Sequence, residues 1–257
     1  MTETREQRPL YVGYQSHAAK GTARFLGPRI VGMLAIALLI ALLVVLVQRP
    51  FAVASFEFGQ TREFNGIVSE FPYPTLLVAR PGRSDDMPYS RYLLSGQGKF
   101  GVADELTGRH GQNVALSGTL IYRDEQAMIE VLPDSLTFMP QTAALPVDES
   151  LGTVTLRGEV IDSKCYLGVM KPAAFKPHKA CAIRCLSGGI PALFVVRGTD
   201  GSADHVLLAG PDGRALNQQL LDIVATPVEV TGTLRRSGSD LILHTDATAF
   251  QTLQNVN

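Results

Sequence analysis

The chain has 257 residues, room for one large domain or two small ones, and its 23 basic and 24 acidic residues leave a formal net charge of −1. Charged residues make up 18% of it, so no overall field favours a nucleic acid or another polyanion. The mean hydropathy of +0.13 is high for a soluble protein, and one segment accounts for much of it.

That segment comes early. Residues 1–29 form a tail carrying Arg5, Arg8, Lys20, Arg24 and Arg29, and from Ile30 to Val47 eighteen residues follow without a charge. As a helix this run spans about 27 Å, close to the thickness of a bilayer core. Residues 30–48 are therefore expected to be a transmembrane helix in contact with lipid. Only Arg49 follows the run closely before Arg62. This imbalance places the N-terminus in the cytoplasm and the C-terminal body outside it, in the periplasm of a bacterial inner membrane. Ala52-Val53-Ala54 also fits a signal-peptidase site, but the length of the run and its 29-residue leader favour a retained anchor. In either case the body faces an oxidising space where disulfides are permitted.

Past the anchor the chain reads as mainly β. A first module, residues 55–140, contains strand patterns at Asn65 to Phe71, Thr75 to Ala79, Arg91 to Leu94, Asn113 to Tyr122 and Ala127 to Val131. Ser95-Gly96-Gln97-Gly98 reads as a hairpin turn. A linker, 141–151, holds Pro146 and small polar residues. The second module, 152–257, has strand patterns at Thr153 to Ile161, Ala192 to Arg197, His205 to Ala209, Pro227 to Leu234 and Leu241 to His244. Between its third and fourth strands, Ala215 to Val224 carries apolar residues at helical spacing.

The two modules repeat one another. Gly66-Ile67-Val68 matches Gly158-Glu159-Val160, and Leu77-Val78-Ala79-Arg80 matches Phe194-Val195-Val196-Arg197. Ser117-Gly118-Thr119-Leu120 then matches Thr231-Gly232-Thr233-Leu234. The offset grows by about 25 residues between the first and second strands and stays nearly constant afterwards, so the second copy carries an insertion there, residues 163–190. Five short strands with one helix late in each copy resemble the OB-fold barrel, over residues 60–140 and 152–254. That resemblance places the insertion in the loop after strand 1, one of the places where OB-folds bind ligands. It does not extend to nucleic acid: the chain has no Trp, its aromatic residues are dispersed, and no basic groove is evident.

The insertion contains Cys165, His178, Cys181 and Cys185, which include every cysteine of the chain. Pro177 can start a helix and Gly188-Gly189 can end it. On that helix His178, Cys181 and Cys185 share one face, and Cys165 closes the site from the end of the preceding strand. Three thiolates and an imidazole suit Zn²⁺ or copper, and an Fe–S cluster less well. Cys-x3-Cys with a nearby histidine resembles the copper sites of cytochrome oxidase subunit II and its copper-delivery proteins. Here, however, the histidine precedes the pair and a third cysteine is present. Lys164, Lys171, Lys176, Lys179 and Arg184 surround the site with no acidic residue between Ser163 and Pro191, which favours thiolate over thiol.

Two other readings stay open. A Cys165–Cys181 or Cys165–Cys185 disulfide would staple the loop to its barrel. A thiol-disulfide oxidoreductase would use Cys181 or Cys185 as attacking thiolate, although its usual C-x-x-C spacing is missing. Asp162 and Met170 are further candidate ligands, while His110 reads as a turn residue and His205 and His244 as structural. No nucleotide-binding or hydrolase fingerprint appears, so no catalytic residue and no organic cofactor is assigned. The expectation is a non-catalytic, membrane-anchored envelope protein with a Cys₃His metal or redox-accessory site on its distal barrel. Its partner would be another envelope or respiratory protein.

Overall fold

The computed structural model describes residues 20–47, 54–80, 88–170, 178–198 and 202–253. The chain divides into two compact units, Met1–Pro50 and Phe51–Asn257. The first contains helix α1, Lys20–Val47. Its most apolar stretch has a mean hydropathy of 3.3, and at 28 residues it is long enough to cross a bilayer. It begins before the apolar run and takes in Pro28.

The second unit is two five-stranded barrels in sequence. The first uses β1 (Ala54–Phe56), β2 (Arg62–Ser69), β3 (Thr75–Ala79), β4 (Tyr89–Ser95), β5 (Gln112–Arg123), β6 (Gln126–Val131) and β7 (Thr137–Thr142). Strands β2, β3 and β4 form an antiparallel meander. β4 then pairs in parallel with β6, β6 pairs antiparallel with β5, and β5 returns to β2. That closes the barrel and leaves no free edge among the five. β1 and β7 add to β5 from outside.

The second barrel repeats this wiring with β8 (Glu149–Asp162), β9 (Ala192–Arg197), β10 (Ala203–Ala209), β11 (Pro227–Ser237) and β12 (Asp240–His244). β8–β9–β10 is again an antiparallel meander, β10 pairs in parallel with β12, and β11 closes onto β8. A two-residue strand, β13 (Gln251–Thr252), caps β11. A meander closed through a parallel third-to-fifth pairing is the OB-like arrangement expected from the repeat. Each of the ten strand patterns read from the sequence falls on one of these ten barrel strands, the first (Asn65 to Phe71) overrunning the end of β2 by two residues.

Two local expectations change. Ser95–Gly98 does turn, with the Gly96 N–H donating to the Phe100 carbonyl at 2.9 Å, but it is no hairpin, because β4 has β3 and β6 as neighbours. The helix expected late in each copy exists only in the second, as a 3-10 helix over Asn217–Ile223. In the first copy the same place is a run of turns around the buried Leu106.

The matched glycines mark close backbone approaches. A methyl at Gly66 would strike the Leu77 carbonyl of β3, and one at Gly158 the Val195 carbonyl of β9. The repeated glycine at this point of strand 1 is thus a steric requirement of the barrel. Val68, Leu76, Leu94, Val114 and Ile129 fill the first barrel and are fully buried, each contributing about 1.5–3 kcal/mol. Tyr73, Leu93, Ile121 and Met128 instead join the core of the second barrel, so apolar packing runs through the seam. Arg91 of β4 and Asp240 of β12 form a buried ion pair across it at 2.7 Å.

Candidate metal centre

The loop between strands 1 and 2 is five residues long in the first barrel, from Ser69 to Thr75, and 29 in the second, from Asp162 to Ala192. The long loop leaves β8 through Asp162, whose Oδ1 accepts the Cys165 N–H at 2.8 Å. This bond starts a single wide helical turn, Cys165–Val169. The turn is held from the first barrel: Gly168 lies against the Ser55 backbone of β1, and the buried Arg123 donates from Nε to the Tyr166 carbonyl at 2.7 Å. Residues 171–177, with Lys171, Lys176 and Pro177, lie outside the described residues. The chain resumes at His178, the N-cap of helix α2, Lys179–Ser187. Ala182 and Leu186 of α2 point into the core. Gly188 ends the helix, and the buried Asn217 side chain donates to the Leu186 and Ile190 carbonyls.

With Ala182 and Leu186 turned inward, Cys181 and Cys185 stand one turn apart beside them and meet Cys165. The Cys165 sulfur is 3.7 Å from that of Cys181 and 3.9 Å from that of Cys185, and all three sulfurs lie within 4.8 Å of one another. All three thiols are free. Sulfurs bound to one ion at ~2.3 Å and tetrahedral angles would be separated by about 3.8 Å. The two distances from Cys165 therefore already match the spacing that a thiophilic ion requires. His178 is exposed at the helix N-cap, where its carbonyl accepts the Ala182 N–H at 2.9 Å. The close group consists of the three sulfurs. Asp162 serves the Cys165 backbone, and the half-buried Met170 donates its N–H to the Cys165 carbonyl at 3.3 Å.

Among the described residues, the cation that reaches the sulfurs comes from the first barrel. Lys99, in the turn after β4 of the first barrel, places its ammonium 2.8 Å from the Cys181 sulfur and 3.7 Å from that of Cys185. Lys164, read from the sequence as part of a basic surround, points away. It is 1% exposed, pairs with Glu130 of β6, and donates to the Gly96 and Gly98 carbonyls at 2.7 and 2.9 Å. A buried lysine thus clamps the very turn that carries Lys99. Two glycine contacts complete the clamp. The Gly101 N–H donates to the Gly188 carbonyl at 2.8 Å, and a methyl on Gly188 would run into the Lys99 carbonyl. Lys179 donates to Thr226 at 3.4 Å and Arg184 is exposed.

The thiols differ in acidity. The hydrogen bond shared by Cys165 and Cys185 is the largest influence on both: it pushes the Cys165 thiol up and the Cys185 thiol down. Burial and the Asp162 carboxylate push Cys165 further up. At Cys185 burial opposes the fall and the Lys99 ammonium assists it. Lys99 is held above its ordinary value, chiefly by its bond to Cys181. The Lys99 ammonium, nearest to Cys181, thus puts a positive charge directly beside the sulfurs.

Of the histidines, His110 accepts the Glu70 N–H at 3.3 Å in an exposed turn. His205 meets the Tyr166 hydroxyl at 3.0 Å, behind the cysteine turn. His244 is half-buried on β12.

No family model matches the chain, and no curated protein matches it. Among solved structures it is similar to the single-stranded DNA-binding protein from Thermus aquaticus, at 13% identity over 80% of this chain and 89% of that one, with a TM-score of 0.23. A likeness at that score adds nothing to the barrel topology itself, and the residues above are the ground for any functional reading.

Proposed function

We propose that the protein is a non-catalytic, membrane-anchored envelope component that binds or relays one thiophilic metal ion through Cys165, Cys181, Cys185 and His178. The observation that carries this reading is the convergence of three free sulfurs, from two separate segments, within 4.8 Å of one another. The His178 imidazole would approach as fourth ligand from the N-terminal end of α2. Copper or zinc fits the donor set better than an Fe–S cluster. Residues 30–48 would anchor the chain with its N-terminus in the cytoplasm, which puts the centre on the exported side, within reach of another envelope or respiratory protein.

A staple is the second reading, favoured by the contact of Cys165 with both other sulfurs. Either disulfide would tie the Cys165 turn to α2 and contribute about 2–4 kcal/mol. The full chain, purified in detergent without a tag, separates the two by its metal content and its free thiols. One metal per chain, with three thiols that react only after chelation, supports the centre. No metal and a single free thiol supports the staple. If His178→Ala keeps both the metal and its affinity, the imidazole is not a ligand.

A further inference from the structure

The first barrel has no cysteine, yet it sends one charged group into the centre. Lys99 reaches the Cys181 and Cys185 sulfurs from outside the loop. Its backbone is fixed by Lys164, Glu130 and the approach of Gly188. Lys99 is itself exposed, so this fixation of its backbone is what keeps the ammonium beside the sulfurs.

We propose that Lys99 is a specificity-determining residue of the thiol centre and biases it toward a monovalent thiophilic ion, Cu(I), over a divalent one such as Zn²⁺. The inference rests on the metal-binding reading above. Its ground is a charge count. Three thiolates around a divalent ion leave one net negative charge, and around a monovalent ion they leave two. A positive charge held at hydrogen-bond distance from one sulfur attracts the second assembly more strongly, and although Lys99 is exposed, the short separation preserves part of this difference against solvent screening. The same ammonium donates to Cys181, a contact that tempers a thiolate without displacing the ion. Lys99 does not act as a ligand here. It touches the ligands and offsets the charge that a monovalent ion leaves behind.

The test uses the full chain in detergent, reduced, with Cu(I) and Zn²⁺ affinities each measured against a competing chelator for wild type, Lys99→Gln and Lys99→Arg. Gln removes the charge without supplying a sulfur ligand, and Arg restores the charge. The expected result is a loss of Cu(I) affinity of about 10-fold or more in Lys99→Gln, within the range for a group that supports metal ligands. Zn²⁺ affinity should change less, and Lys99→Arg should recover most of the Cu(I) loss. Equal losses for both ions, or no loss for either, would overturn the assignment while leaving the metal centre standing. Failure of the wild-type chain to bind either ion would instead sink the metal reading on which it depends.

Discussion

The ammonium of Lys99 stands 2.8 Å from the Cys181 sulfur, although 82 positions of sequence separate the two residues. The contact makes the centre a joint product of both barrels. The first barrel thus shapes the surroundings of the cysteine loop directly, through the residues that hold Lys99 in place.

Lys164 is the first of these. Its side chain is 2% exposed and paired with Glu130, which is 14% exposed. Lys164→Met would keep the volume while leaving that carboxylate and two turn carbonyls without their donor. The expected loss of stability is about 3 kcal/mol by urea unfolding, the low end for removal of one partner of a buried pair. Adding Glu130→Gln should return part of it, since the orphaned charge is then gone. A loss of only a few tenths of a kcal/mol in the single variant would mean that the ammonium is not a clamp.

Gly188→Ala tests the same clamp from the other barrel. Gly188 has φ −83° and ψ 0°, so alanine meets no backbone strain there, and the only obstacle is the Lys99 carbonyl. The expected cost is about 1–3 kcal/mol from overpacking. Displacement of Lys99 should also lower Cu(I) affinity, although residue 188 offers no side-chain donor. Unchanged stability and unchanged affinity together would show that the turn yields freely.

His205 gives a pH dependence. Burial is the main cause that lowers its basicity, with Arg123 and Arg197 acting in the same direction and Asp124 and Asp204 against it. The ring is therefore neutral in the folded chain where the unfolded chain would already take a proton. The associated stability is fully present above the unfolded value of about 6.5 and is lost as the pH falls through the folded one. His244 is lowered too, first by burial and then by Arg235, and contributes with the same sign. Urea midpoints at about pH 7.5 and 5.5 should differ, the acidic one being lower, and His205→Gln should shrink the difference to the part due to His244. A His205→Gln slope equal to that of wild type would remove His205 from this role.

How much of this was legible in the sequence depends on how local each signal was. The barrel strands alternate apolar and polar residues between turn signals, and the two copies report on one another, so their order and the site of the insertion could be read directly. β7 escaped because Thr137–Thr142 is short, polar and interrupted by Pro140, as suits an added outer strand. The convergence of Cys165 with Cys181 and Cys185 followed from their shared loop. Lys99 could not be found this way, since nothing near it in sequence points to a partner in the other module. Lys164 was misread for a related reason: a lysine is seldom fully buried, and only the fold brings Glu130 and the Gly96–Gly98 turn over it.

In the proposed centre the three sulfurs hold a single ion together. Titration of the reduced full chain with Cd²⁺, followed by the sulfur-to-metal charge-transfer absorption, tests it most directly. The expected band saturates at one ion per chain and is weakened or lost in each of Cys165→Ser, Cys181→Ser and Cys185→Ser. A band that never saturates, or one that persists in full when any single cysteine is replaced, would contradict it.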